Sequence, residues 1–199
     1  MMVLRKSGHL FMSCPKTGTM SLYVALMECG GVRHGAWHER EAPRRGRPFN
    51  WIGAVRNPYS RATSLYSYLM FPPPERAWHG RRPRTFCGDD QSFESFAAWL
   101  ATLTTRPSGA PELFASQSLW YRGKPIKTFL RTETLEDDFA RLPFSGPIGR
   151  LPGKIPLPRI NTSGSRSWED LATPRALELV NRWAEPDFER FGYERLSQV

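Results

Sequence analysis

The stretch Leu10-Phe11-Met12-Ser13-Cys14-Pro15-Lys16-Thr17-Gly18-Thr19-Met20-Ser21-Leu22 constrains this chain more than any other. It reads as a short apolar strand from His9 to Cys14, a tight polar loop over Pro15–Thr19 with one lysine, and the start of a helix. A strand that feeds a helix through so short a loop commits the chain to an α/β architecture. It also makes an anion cradle. Loop N–H groups turn inward and the helix N-terminus adds partial positive charge. Thr17, Thr19 and Ser21 supply hydroxyl donors, Lys16 supplies a full charge, and Gly18 lets a ligand approach the backbone closely.

The rest of the chain alternates in the same manner. Met20, Tyr23, Val24 and Met27 recur at helical spacing, with Leu22 and Leu26 alongside, and Gly30-Gly31 ends that helix. Val32 to Trp37 is expected to be a short second strand, and residues 38–49 a basic, proline-bearing loop. Trp51-Ile52-Gly53-Ala54-Val55 is the next apolar strand. Asn57 is placed to cap a helix that opens on Pro58 and buries Ala62, Leu65, Tyr66 and Leu69, until Pro72-Pro73-Pro74 stops it. Residues 71–91 form a long arginine-rich excursion. A helix from Ser92 carries Phe93, Phe96, Ala97 and Leu100 on one face. A short helix is expected around Leu113–Leu119.

Ile126 to Leu130 is the third clear strand. Thr134 and Asp137 have capping-box spacing before a short helix with Leu135, Phe139 and Leu142 inside. Residues 143–166 are rich in proline and glycine and read as loop. A last helix from Thr173-Pro174 buries Ala176, Leu179, Val180 and Trp183. There are no repeats and no sign of a second domain, so residues 1–199 are expected to form one domain. Strands alternating with helices predict a mainly parallel central sheet flanked by helices, a P-loop-like three-layer fold. Ligands then bind at the carboxyl ends of the strands, where both Pro15–Thr19 and Arg56–Pro58 lie.

Hydrophobic residues make up 40% of the chain and aromatics 13%, which excludes a disordered chain. The formal charge of +9 points to anionic partners: phosphate, sulfate, nucleic acid or an acidic glycan. Two arginine runs, Arg44/Arg45/Arg47 and Arg81/Arg82/Arg84, hold part of that excess; a solvated loop is the plainer reading of each. Cys14, Cys29 and Cys87 are odd in number and irregular in spacing, as expected of free thiols in a reducing compartment. No secretory signal and no run long enough to span a bilayer is apparent, so a cytoplasmic location is expected.

The first loop differs from the nucleotide P-loop, in which lysine follows the second glycine at the helix start. Here Lys16 precedes Gly18, and no apolar strand ends in an aspartate to hold a metal. Pro15-Lys16-Thr17-Gly18-Thr19-Met20-Ser21 instead resembles the phosphosulfate-binding loop of the sulfotransferases that use 3′-phosphoadenosine 5′-phosphosulfate (PAPS). Met20 stands where that family commonly has a second threonine. Arg56-Asn57-Pro58-Tyr59-Ser60-Arg61-Ala62-Thr63-Ser64 is similar to the family's 3′-phosphate motif, with an arginine at a strand end and a serine eight residues on. Fainter likenesses lie in Arg131-Thr132-Glu133 through Asp138-Phe139, in Ser92-Phe93-Glu94-Ser95-Phe96, and in Pro186-Asp187-Phe188 through Phe191-Gly192-Tyr193; these read as mainly structural. The resemblance runs from about residue 9 to 194 and is nearest to the Golgi-type and carbohydrate sulfotransferases.

The resemblance implies transfer of a sulfuryl group from PAPS to an acceptor hydroxyl, in some members an amine, leaving 3′-phosphoadenosine 5′-phosphate (PAP). Lys16 would meet the charge that builds on the leaving phosphate, without a metal. Thr17, Gly18, Thr19, Met20 and Ser21 would hold the 5′-phosphate, and Arg56 with Ser64 the 3′-phosphate. Arg166, and more weakly Asn161, in a late loop that also contains Lys154 and Ser163, would approach the donor. His34, His38 and Glu39 are the candidates for general base, and ordinary loop residues are the alternative for each. The acceptor is expected to be a carbohydrate or small metabolite lying against residues 38–49 and 71–91. Arg40, Arg44 or Arg81 could hold an anionic group there, and Trp37, Trp78 or Trp120 could stack on a sugar. Two further classes stay open: a non-catalytic anion- or nucleic-acid-binding domain, and a nucleotide kinase. Nucleic acid is not expected, since no RNA-binding aromatic pattern is apparent.

Overall fold

The computed structural model describes residues 1–36, 38–39, 41–43, 49–71, 90–103, 112–144, 157–158 and 167–197. They group into two compact units, one within 1–56 and 123–162, the other within 57–122 and 163–199.

The first unit is built on a five-stranded sheet in the order β3-β1-β2-β4-β5. Its strands are β1 (Met2–Leu4), β2 (His9–Ser13), β3 (Val32–Arg33), β4 (Asn50–Val55) and β5 (Ile126–Arg131). β2, β4 and β5 are parallel, while β1 runs antiparallel to both β2 and β3. The sheet is therefore mixed, which corrects the expectation of a mainly parallel one. The reason is local. Residues 5–8, with Gly8 at φ 71°, join β1 to β2 by a tight turn, and a turn of that length returns the chain antiparallel. β1 itself was not foreseen, being only three residues long. β3 is shorter than the expected Val32–Trp37 and ends at Arg33.

Helix α1 (Thr19–Glu28) buries Leu22, Tyr23, Ala25 and Leu26 against a core with Met2, Leu4, Phe11, Ile52, Ala54 and Leu130. Its inward stripe is rotated from the expected one, and Met27 is 52% exposed. The predicted glycine stop is present. Gly30 adopts φ 81°, and Gly31 N–H donates to the Leu26 carbonyl at 2.8 Å. Gly53 is needed in β4 because the Phe129 ring lies where a Cβ would stand, 2.7 Å away.

After β5 comes a 3-10 turn at Thr132–Thr134, and then a further helix whose Phe139 is buried (Leu135–Ala140, called α5 below). Thr134 does not cap it in the expected box with Asp137. Asp138 takes that part of the work, accepting from Arg131 N–H at 2.8 Å, Thr134 Oγ1 at 3.1 Å and Arg141 Nη1 at 3.2 Å.

The second unit is helical. It contains α2 (Pro58–Met70), α3 (Phe93–Thr102), α4 (Gln117–Trp120), α6 (Pro174–Trp183) and α7 (Glu185–Phe191). Asn57 caps α2 as expected, accepting from Tyr59 N–H at 3.0 Å and Ser60 N–H at 3.3 Å. Ser92 and Thr173 cap α3 and α6. Tyr59, Leu65, Phe93, Phe96, Leu100, Leu177, Val180, Trp183 and Phe188 make the core. Around Leu113–Leu119 the chain forms a 3-10 turn (Glu112–Phe114) and then α4, not one helix.

Two buried charges organise this unit. Arg61, fully buried, donates to the Ala115 and Leu113 carbonyls and lies 5.3 Å over the Trp183 ring. Asp187, also fully buried, accepts from Gln117 N–H, Gln117 Nε2 and Ser118 N–H. Asp187, Phe188 and Phe191 are thus structural, as their sequence context implied. Among the described residues no helix is long and apolar enough to cross a membrane.

Candidate functional site

β2, β4 and β5 end side by side. Ser13 pairs with Ala54, and Ala54 with Leu130, so the three chain exits lie about 5 Å apart from strand to strand. Thr132 Oγ1 donates to the Val55 carbonyl at 3.0 Å and ties the β5 exit to that of β4.

The loop leaving β2 is shaped by two left-handed residues. Lys16 has φ 69° and Gly18 φ 71°, and Lys16 is the non-glycine residue with positive φ among those described. Glycine adopts that region freely; a residue with a Cβ does so only where its surroundings hold it. Thr17, between them, is fully buried. Its Oγ1 donates to the Cys14 carbonyl at 2.7 Å, and Thr19 Oγ1 donates to the same carbonyl at 3.3 Å. Two hydroxyl protons expected to face a ligand are therefore directed into the loop and close it.

Gly18 is the N-cap of α1 and has no side chain with which to cap it. The first turn carries no acidic residue of its own to offset the positive end of the helix dipole. Leu22 N–H donates to the Gly18 carbonyl at 3.2 Å and starts the helix. Thr19, Met20 and Ser21 form its first turn, with Met20 and Ser21 half-buried. On its other side Gly18 packs closely: an added Cβ would stand 3.1 Å from Leu135 Cδ2 and 3.8 Å from Thr132 Cγ2.

Arg56 follows β4 directly and is half-buried. Its Nη1 lies 3.5 Å from the Lys16 carbonyl oxygen. The structure thus brings Arg56, Lys16, Thr17, Gly18, Thr19, Met20 and Ser21 together at the ends of two neighbouring parallel strands. Such a set of cations beside a helix N-terminus can hold an anion of more than one charge.

Ser64 is buried on α2 in the second unit. His34 and Glu39 follow β3. His34 N–H donates to the Met1 carbonyl at 3.0 Å. The Glu39 carboxylate accepts from Glu41 N–H at 3.0 Å and lies over Gly35, where a Cβ would stand 2.5 Å from Oε2. His38 is half-buried on the same segment. A buried polar chain leads from this segment towards the loop. The Met1 nitrogen donates to the Ala36 carbonyl at 3.4 Å and to Tyr23 Oη at 2.8 Å, and Tyr23 Oη lies 3.3 Å from Ser13 Oγ. Burial lowers the Met1 amine to about 6, with Glu39 opposing the shift, and raises the Tyr23 phenol.

Helical spacing marked Tyr23 only as a core residue, since periodicity says nothing of where a hydroxyl points. Arg166, Asn161, Lys154, Ser163, Trp37, Trp78, Arg40, Arg44, Arg81 and Cys87 lie outside the described residues. No group of His, Cys, Asp and Glu that could hold a metal occurs among the described residues. No protein-family model, curated protein or solved structure matches the chain.

Proposed function

We propose that this chain is a sulfotransferase that moves a sulfuryl group from PAPS to a hydroxyl, or an amine, of a carbohydrate or small-metabolite acceptor. The observation that carries the reading is the meeting of Arg56 with the left-handed Lys16 beside the N-terminus of α1. A domain that merely presents a basic surface has no need of a strained lysine inside a closed loop. A magnesium-dependent kinase loop has its lysine after the second glycine, in another frame. The reading also implies a P-loop-like three-layer arrangement of sheet and helices.

The donor suits these residues. The helix end and the loop peptides would hold the 5′-phosphate, with no acidic residue in the helix's first turn to compete. Arg56 would grip the 3′-phosphate through its planar fork. Lys16 would place its ammonium beside the oxygen on which charge grows as the sulfuryl group leaves. His38, His34 or Glu39 would take the acceptor's proton. The closed hydroxyls of Thr17 and Thr19 hold the loop in shape before a ligand arrives, which lowers the ordering cost of binding.

Titration with PAP, in parallel with ATP and magnesium, tests the reading. Metal-independent binding of PAP, tighter than that of ATP with magnesium, is expected. Preference for ATP with magnesium would transfer the chain to the kinases, and binding of neither would leave an anion- or nucleic-acid-binding role.

A further inference from the structure

We propose that Arg56 is a positioning residue for Lys16, distinct from any grip it has on a phosphate. The inference rests on the donor-binding reading above and deepens it. Three observations meet at one peptide. Lys16 sits in the left-handed region, which a lysine does not adopt unaided. Thr17 and Thr19, on the far side of Lys16, both donate to the Cys14 carbonyl and close the loop around it. The Lys16 carbonyl meets the Arg56 guanidinium at 3.5 Å.

The two threonines fix where the loop starts and where the helix begins. Neither of those bonds reaches the Lys16 carbonyl, which meets Arg56 instead. Arg56 is anchored at the end of β4, in parallel register with β2, so its backbone is fixed relative to the loop. A guanidinium is planar and carries several N–H donors, so one edge can hold the Lys16 carbonyl while another faces an anion. Arg56 thereby links the two halves of the site. The group that meets a second phosphate also holds the backbone that aims the lysine.

Inorganic pyrophosphate is the probe, because it has no 3′-phosphate and reports on the first loop alone. Calorimetric titration compares wild type, Arg56→Lys, Lys16→Gly and the double variant. Arg56→Lys keeps the charge but has a shorter reach and no fork. It is expected to weaken pyrophosphate about three- to tenfold, the value of one net hydrogen bond. Glycine adopts the left-handed region freely, so in the Lys16→Gly background Arg56→Lys should change affinity less than twofold. Equal affinity of wild type and Arg56→Lys would overturn the proposal, as would the same loss in both backgrounds.

Arg56→Ala provides a second measurement should either variant fold poorly. Millimolar guanidinium should restore its pyrophosphate affinity where equimolar ammonium does not; equal response to both cations would also overturn the proposal. Failure of wild type to bind pyrophosphate or PAP would instead refute the donor-binding reading itself.

Discussion

Thr17→Val separates two roles that one hydroxyl could have. Valine matches threonine in shape but cannot donate. In the native loop Thr17 is fully buried and its Oγ1 donates to the Cys14 carbonyl at 2.7 Å. Without it the carbonyl loses its shorter hydroxyl donor and keeps Thr19 Oγ1, at 3.3 Å. Removing a net hydrogen bond costs about 0.5–1.5 kcal/mol, and under-satisfying a buried carbonyl adds to that, so about 1–2 kcal/mol is expected. For a chain of this size each kcal/mol moves the melting temperature about 2–4 °C, giving a fall of about 2–8 °C by thermal unfolding. Because the proton already serves the loop, pyrophosphate affinity measured well below the transition should fall less than threefold. A melting temperature unchanged within about 1 °C, together with a tenfold loss of affinity, would refute the reasoning. It would return the hydroxyl to the ligand.

Gly18→Ala should destabilise the protein by about 1–2 kcal/mol, because alanine is strained at φ 71° and its Cβ would press on Leu135. Gly192→Ala, at φ 65° with nothing near its Cβ, should show the backbone strain alone, so equal losses in urea unfolding would remove the Leu135 contact from the account. Cys29 is pushed up to about 11 by burial, with Glu28 adding to it. Iodoacetamide should therefore react slowly at pH 8, with the rate climbing towards pH 11; a plateau near pH 9 would contradict this. The linkage has a definite sign. The unfolded thiol ionises near 9 and the folded one later, so this group's contribution to stability is intact below pH 9 and declines from 9 towards 11. Asp187→Ala leaves the Gln117 and Ser118 N–H groups without their acceptor, and a loss of about 2–4 kcal/mol in urea unfolding is expected. A loss under about 1 kcal/mol would mean that water replaces the carboxylate.

Elements announced by their ends were legible in the sequence. Asn57-Pro58, Ser92 and Thr173-Pro174 each name a helix start by a side chain that can accept the first free N–H groups, and each does so in the structure. Gly30-Gly31 names a stop in the same way. Strands were legible where five or six residues hold enough apolar side chains to stand out, as in β2, β4 and β5. β1 and β3 have three and two residues, and their pairing depends on partners elsewhere in the chain, which a local pattern does not carry. The sheet's mixed direction follows from that omission. Rotation of the α1 stripe has a similar origin: Met27 fits helical spacing, but nothing covers its side of the helix well enough to bury it.

The site was legible in its parts and less so in their wiring. Strand-end logic put Arg56 and the lysine loop on one edge, and the two meet there through a backbone carbonyl. Residue type alone gives no sign of a contact to main chain. The same limit applies to Thr17 and Thr19, whose hydroxyls are donors by chemistry but point inward by geometry.

The arrangement of the sheet also sets the order in which the anion loop acquires its walls during synthesis. β1, β2, α1 and β3 pair with near neighbours in sequence and are complete by Arg33. Such local pairings form early. Arg56 emerges next. The bond from Thr132 to Val55 joins residues 77 apart, and the Leu135 side of Gly18 arrives at the same late stage. A nascent chain therefore shows its lysine loop to the cell well before Leu135 packs against Gly18. The interval leaves an exposed β4 edge beside a cationic turn, which is where premature pairing with another chain would begin.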